Sequence, residues 1–102
     1  MQEVDQSIES FEELHQLVHR TLCEAENLLV EQFETRQNPL FAKEKVCAIE
    51  YSLRGPRSLR LAAIWAADQN VIYFYNARGE RHLKMKLTNR LDLSEMVQTS
   101  VA

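Results

Sequence analysis

Residues 70–87 read NVIYFYNARGERHLKMKL, and the way they pair decides the fold. The second half alternates, with Leu83, Met85 and Leu87 set against His82, Lys84 and Lys86. Side chains of a strand point to its two faces in turn, so this half is a strand with one apolar and one basic side. The first half, Val71-Ile72-Tyr73-Phe74-Tyr75, is apolar or aromatic throughout and needs cover on both sides. Asn76-Ala77-Arg78-Gly79 joins the halves. It suits a type I turn with Gly79 left-handed, the three-residue hairpin with a bulge at the glycine. That turn sets Tyr75 opposite Arg81, Phe74 opposite His82, Tyr73 opposite Leu83 and Ile72 opposite Lys84, and opposed residues share a face.

The preceding loop reads as Asp68-Gln69-Asn70 with Asn70 left-handed, which places Trp65 opposite Tyr73 and Ile64 opposite Phe74. The inner face is then Ile49, Tyr51, Leu61, Trp65, Tyr73, Leu83 and Met85. The outer face has an apolar centre of Ala48, Ala62, Ile64, Ala66, Ile72 and Phe74, rimmed by Glu50, Arg60, His82, Lys84 and Lys86. A slip of one residue would send Tyr73 and Tyr75 outward in place of Ile72 and Phe74. Either way the outer centre carries large apolar groups, and a monomer rarely leaves such a patch wet. Three covers are open: a tail helix, a second copy about a two-fold axis, or a different partner.

Upstream, Ser10-Phe11-Glu12-Glu13 has the spacing of a helix capping box. Phe11, Leu14, Val18, Leu22, Ala25, Leu29 and Phe33 recur at intervals of three and four, one stripe of an amphipathic helix. The stripe predicts a helix to near Gln37, where Asn38-Pro39 disfavours helical geometry. At about 1.5 Å per residue it reaches roughly 39 Å, the width of a whole sheet. After the connection NPLFAKE the period becomes two: Cys47, Ile49, Tyr51 and Leu53 face one way, Ala48, Glu50 and Ser52 the other. RGPRS turns the chain into Leu59, Leu61, Ala63 and Trp65. Every connection is too short for a parallel crossover. Asp92-Leu93-Ser94-Glu95 caps a second, short helix, beginning there or near Thr88, with Leu91, Met96 and Val97 as its apolar patch. The expected fold is one α+β domain over 1–102: a long N-terminal helix packed on a four-stranded antiparallel meander sheet, then a short C-terminal helix, with 1–9 and 99–102 frayed.

Apolar residues make up 45% and charged residues 26% of the 102, the balance of a soluble globular domain. There is no run of about 18 apolar residues for a membrane helix. The acidic N-terminus lacks the apolar segment of a secretory signal. Two cysteines, Cys23 and Cys47, make no disulfide framework and fit a reducing cytoplasm. The net charge of −3 hides an asymmetry. Residues 1–42 carry nine acids and two bases, a balance of −7; residues 43–102 carry ten bases and six acids, a balance of +4. A basic sheet layer is suited to an anion.

His15, His19 and Cys23 stand at i, i+4 and i+8 on the first helix, a spacing that can supply two zinc ligands, although closed sites want four. No nucleophile–base pair stands in a turn motif, and the two glycines, Gly55 and Gly79, form no phosphate-cradling loop. The sequence therefore calls for no enzyme and no cofactor. Arg54, Arg57 and Arg60 gather at one hairpin; Arg78, Arg81, His82, Lys84 and Lys86 gather at another. Arginines beside exposed aromatics on a sheet can hold single-stranded nucleic acid, but a pI near 5.6 is low for such a domain. The leading expectation is a non-catalytic protein-binding module, a homodimer using Ile64, Ile72, Phe74, Arg60, His82, Lys84 and Lys86. The alternatives are a nucleic-acid binder through Arg54, Arg57, Arg60, Arg78 and Arg81, and a metal protein through His15 and His19.

Overall fold

Ser10 opens the helix as its spacing requires: its hydroxyl accepts from the Glu13 N–H at 3.1 Å. The Glu13 carboxylate accepts in turn from the Glu9 N–H at 2.6 Å, one residue earlier than the usual capping box. A computed structural model, describing residues 2–91, gives this helix, α1, as Phe11–Ala25. Its stripe buries Leu14, Leu17, Val18, Leu22 and Cys23. The expected run to Gln37 does not form. Asn27 takes a left-handed φ of 56°. The Leu28 N–H reaches Cys23 O at 2.8 Å and the Asn27 N–H reaches Glu24 O at 3.3 Å, the paired bonds of a Schellman stop. Leu29 and Phe33 thus continue the spacing of the stripe without belonging to it.

The four-stranded meander is also corrected. Among the described residues the sheet has six strands: β1 Gln2–Gln6, β2 Thr35–Ala42, β3 Lys45–Arg54, β4 Arg60–Ala66, β5 Val71–Tyr75 and β6 Arg81–Leu87. Their spatial order is β1-β6-β5-β4-β3-β2. The expected meander survives as β3 to β6. An extra strand flanks each side, β2 antiparallel to β3 and β1 parallel to β6. Pro39 argues against a strand here, yet β2 is an edge strand, which tolerates proline where no ladder bond is needed. β1 is polar apart from Val4, so no alternation marks it. Its end is held at the opposite end of the chain. Asn89 accepts from the Ile8 N–H at 3.0 Å and donates to Ile8 O, and the Thr88 N–H reaches Gln6 O at 2.9 Å. Residues 2–9, expected to fray, are therefore part of the fold, and Ile8 is buried. Thr88 to Leu91 are not helical; the helix expected from Asp92 lies outside the described residues. Among the described residues no helix is long and apolar enough to cross a membrane.

The helix covers one face of the sheet, and the core lies between them. Phe11 meets Trp65 edge to face at 5.6 Å between centroids, and Tyr51, Leu53, Ile49 and Leu61 lie beneath. Ile72 and Phe74 belong to this core, each fully buried, and not to the outer face where the hairpin count put them. Two local irregularities cause the change. The turn at Asn76–Gly79 is as expected, with Gly79 at φ 78° and Tyr75 opposite Arg81. Beyond it His82 is bulged out, so Phe74 pairs with Leu83 and Tyr73 with Lys84. Asn70 is left-handed as expected, at φ 55°, but the loop is one residue longer and Trp65 opposes Ile72. A similar bulge at Cys47 turns Val46 inward and leaves Cys47 exposed, against the expected alternation.

Asn70 ties this end of the sheet together. Its side chain accepts from Trp65 Nε1 at 3.1 Å and donates to Leu87 O at 3.3 Å and Asn89 O at 2.7 Å. Its backbone N–H closes the loop on Ala66 O at 2.8 Å. Asn70→Ala should lower stability by about 3 kcal/mol, because it strands buried polar groups and puts alanine in a left-handed position. Urea unfolding followed by Trp65 fluorescence measures the loss.

The β2–β3 hairpin turns on Lys43 and Glu44, both left-handed at φ 52° and 68°. Asparagine and glycine suit such a two-residue turn far better. Lys43→Asn with Glu44→Gly should raise stability by about 1–2 kcal/mol in the same assay.

Candidate interaction face

The corrected register defines the face that α1 leaves open among the described residues. Opposed residues form rows across the sheet. One row runs Glu3, Lys84, Tyr73, Ile64, Glu50, Asn38. A second runs Asp5, Lys86, Val71, Ala66, Ala48, Leu40. A third runs Arg81, Tyr75, Ala62, Ser52, Arg36, with Arg54 opposite Arg60 one step further. The face has unequal relief. On β5 and β6 it carries the large side chains Tyr73, Tyr75, Arg81 and Lys84; on β3 and β4 it carries the small Ala48, Ser52, Ala62 and Ala66 around Ile64 and Glu50, with Arg54 and Arg60 at one end.

Much of its apolar surface is shaded from water by its own neighbours. The Arg81 guanidinium lies 4.0 Å from the Tyr73 ring centroid and donates to the Tyr75 hydroxyl at 2.9 Å. The Tyr73 hydroxyl donates to Gln69 at 2.8 Å. Val71 is buried, and Ile64, Tyr73 and Tyr75 are half-buried. Lys84 reaches Glu3 at 3.9 Å, the only ion pair among the described residues.

Of the expected interaction residues, Ile64, Arg60, Lys84 and Lys86 lie on this face. Ile72 and Phe74 are in the core. His82 leaves the rim by its bulge and lines a cleft beside the end of α1, with Thr21, Leu22 and Glu26. The face also carries residues that pairing alone reveals: Tyr73 and Tyr75 through the one-residue slip, Glu3 through β1 and Arg36 through β2. Arg54, Arg57, Arg60, Arg78 and Arg81 gather at one end of the sheet, since the β3–β4 and β5–β6 turns lie at the same end.

The histidine row on α1 is engaged with protein oxygens. His19 Nε2 lies 2.9 Å from Val30 O, so this nitrogen donates, while Nδ1 meets the buried Thr35 hydroxyl at 2.7 Å. His15 Nδ1 lies 3.2 Å from Gln37 Oε1. No group of three or more His, Cys, Asp or Glu side chains among the described residues is placed to hold a metal. The row pins α1 to β2. No protein-family model matches this chain, and neither does a curated protein or a solved structure.

Beneath α1 the Tyr51 hydroxyl is buried without a hydrogen-bond partner among the described residues. Burial pushes its phenol well above the ordinary tyrosine value. Burial also raises the Cys23 thiol, with Glu24 and Glu31 adding to it. Both groups stay protonated in the fold where the unfolded chain would ionise. Their contributions are therefore complete below their unfolded values and fade as pH rises past about 9 for the thiol and 10 for the phenol. Tyr51→Phe removes the stranded hydroxyl and should raise stability by about 1 kcal/mol near neutral pH. It should also flatten the decline above about pH 10, as read from urea unfolding at stepped pH.

Proposed function

We propose that this chain is a non-catalytic interaction module and that its open sheet face binds a second copy of itself. The observation that carries this reading is the unequal relief of the face. A two-fold axis along the strands, between β4 and β5, sets the tall half of one copy on the low half of the other. Tyr73 then meets Ile64 of the second copy, Tyr75 meets Ala62, and Val71 meets Ala66. The same operation places Lys84 over Glu50, opposite charges on either side of an apolar centre. Sheets packed face to face lie about 10 Å apart with strands near 30° to each other, a geometry that side chains of these sizes fill. Tyrosine and arginine are also the residue types that contribute most to binding at protein interfaces.

Sedimentation equilibrium tests the proposal. The wild-type chain should show the mass of two copies, and Ile64→Glu should give a monomer with an unchanged circular dichroism spectrum. Glu50→Lys should weaken the pair about tenfold, and adding Lys84→Glu should restore it, since both pairs are then remade with reversed sign. A wild-type chain that stays monomeric, or an Ile64→Glu chain that stays dimeric, refutes the reading.

A further inference from the structure

We infer that the arginine-rich end of the open face binds the backbone of a single-stranded nucleic acid. The third row of the sheet and its neighbouring step form one continuous strip: Arg36 on β2, Arg54 on β3, Arg60 on β4, Tyr75 on β5 and Arg81 on β6. At about 4.8 Å between strands the strip spans roughly 19 Å across the sheet, with Arg54 and Arg60 displaced two residues along their strands toward the tip. Four of its five residues are arginines. The fifth is an aromatic ring on an open sheet, the surface on which bases stack.

Three observations give the strip its direction. Arg54 and Arg60 are directly opposed across β3 and β4. Like charges so placed repel, and among the described residues no carboxylate lies within 4.0 Å of either guanidinium. Glu34 lines the cleft beside Arg36 and Arg54, and Glu80 precedes Arg81 at the β5–β6 turn. Glu24, Glu26 and Glu31, also toward this end, belong to α1 and the turn after it. Second, the tip joining these two arginines is strained. Arg57 and Ser58 are both left-handed, at φ 56° and 64°, where neither is a glycine. That strain holds a further arginine beyond the row. Third, the cleft lined by Gln32, Phe33, Glu34 and Ser52 gathers Arg36 and Arg54 but neither Arg60 nor Arg81, so the four guanidinium groups do not converge on one cavity. An open row of separated guanidinium groups suits a chain of phosphodiesters better than one small anion, which would need groups converging in an enclosed site.

The strip is complete in one chain and does not depend on the dimer. In the two-fold pair Tyr75 packs on Ala62 of the second copy, so the oligonucleotide and the second copy compete for this end of the face.

Fluorescence anisotropy with a labelled single-stranded oligonucleotide, titrated from about 50 to 200 mM salt, tests the inference. With four arginines contacting phosphate, log K should fall against log salt with a slope of about −2.8. Arg54→Ala with Arg60→Ala should weaken binding at least tenfold and reduce the slope by about 1.4. Tyr75→Ala should weaken binding by about tenfold and leave the slope unchanged. These residues are at the surface, and circular dichroism verifies that each variant is folded. A labelled phosphoserine peptide is the competing probe. Absence of oligonucleotide binding, an unchanged slope in the double arginine variant, or tighter binding of the phosphopeptide each overturns the inference. Sedimentation reads the dimer separately, so either proposal can fail alone.

Discussion

The arrangement of the whole sheet depends on where Asn70 sits. Its left-handed backbone ends the loop after β4, and its side chain joins Trp65 in the core to the last residues of β6. A loop one residue shorter would reverse the facing of β5 and put Ile72 and Phe74 in water. Strand side chains have a period of two, so loop length here decides which aromatic groups build the core and which are presented outside. A single asparagine therefore governs both the stability of the domain and the chemistry of its open surface.

Bulges distribute the residues around that fixed point. Those at Cys47 and His82 each absorb one residue. They let buried side chains remain under α1 while the turns keep their own geometry. The outcome is a chain with opposite characters on its two layers. The helix and the turn after it are acidic, while the far side of the sheet carries arginine, lysine and tyrosine. A protein of net negative charge thereby keeps a basic face, and its overall pI says little about the charge of that face.

The legible parts of the sequence were those governed by local chemistry. Ser10 as a cap, Gly79 and Asn70 as left-handed turn residues, and the alternation of β4, of β3 from Ile49 on and of β6 from Leu83 on all follow from short-range rules. So does the outward placement of Arg60, Ile64, Lys84 and Lys86. What escaped was set by distant partners. β1 has one apolar residue and exists because β6 and Asn89 offer it bonds. β2 contains Pro39 and survives because it is an edge. Asn27 is a helix stop that short-range chemistry can name, but Leu29 and Phe33 continue the spacing past it. The bulges leave no mark in composition, and through them the outer face acquired Tyr73 and Tyr75 in place of Ile72 and Phe74. Arg36 joined it only once β2 was recognised.

The parallel pairing of β1 with β6 joins Gln2 to Leu83. No such contact can form on a ribosome until the chain as far as Leu87 has emerged. Contacts this remote in sequence are slow to close, because the intervening loop loses its freedom before any bond rewards it. Until then one border of the sheet is unzipped, with β6 offering a bare row of amides and carbonyls to whatever is nearby. The polar, acidic character of Gln2–Gln6 then has a use: it makes a final edge that closes the sheet without inviting another chain to extend it.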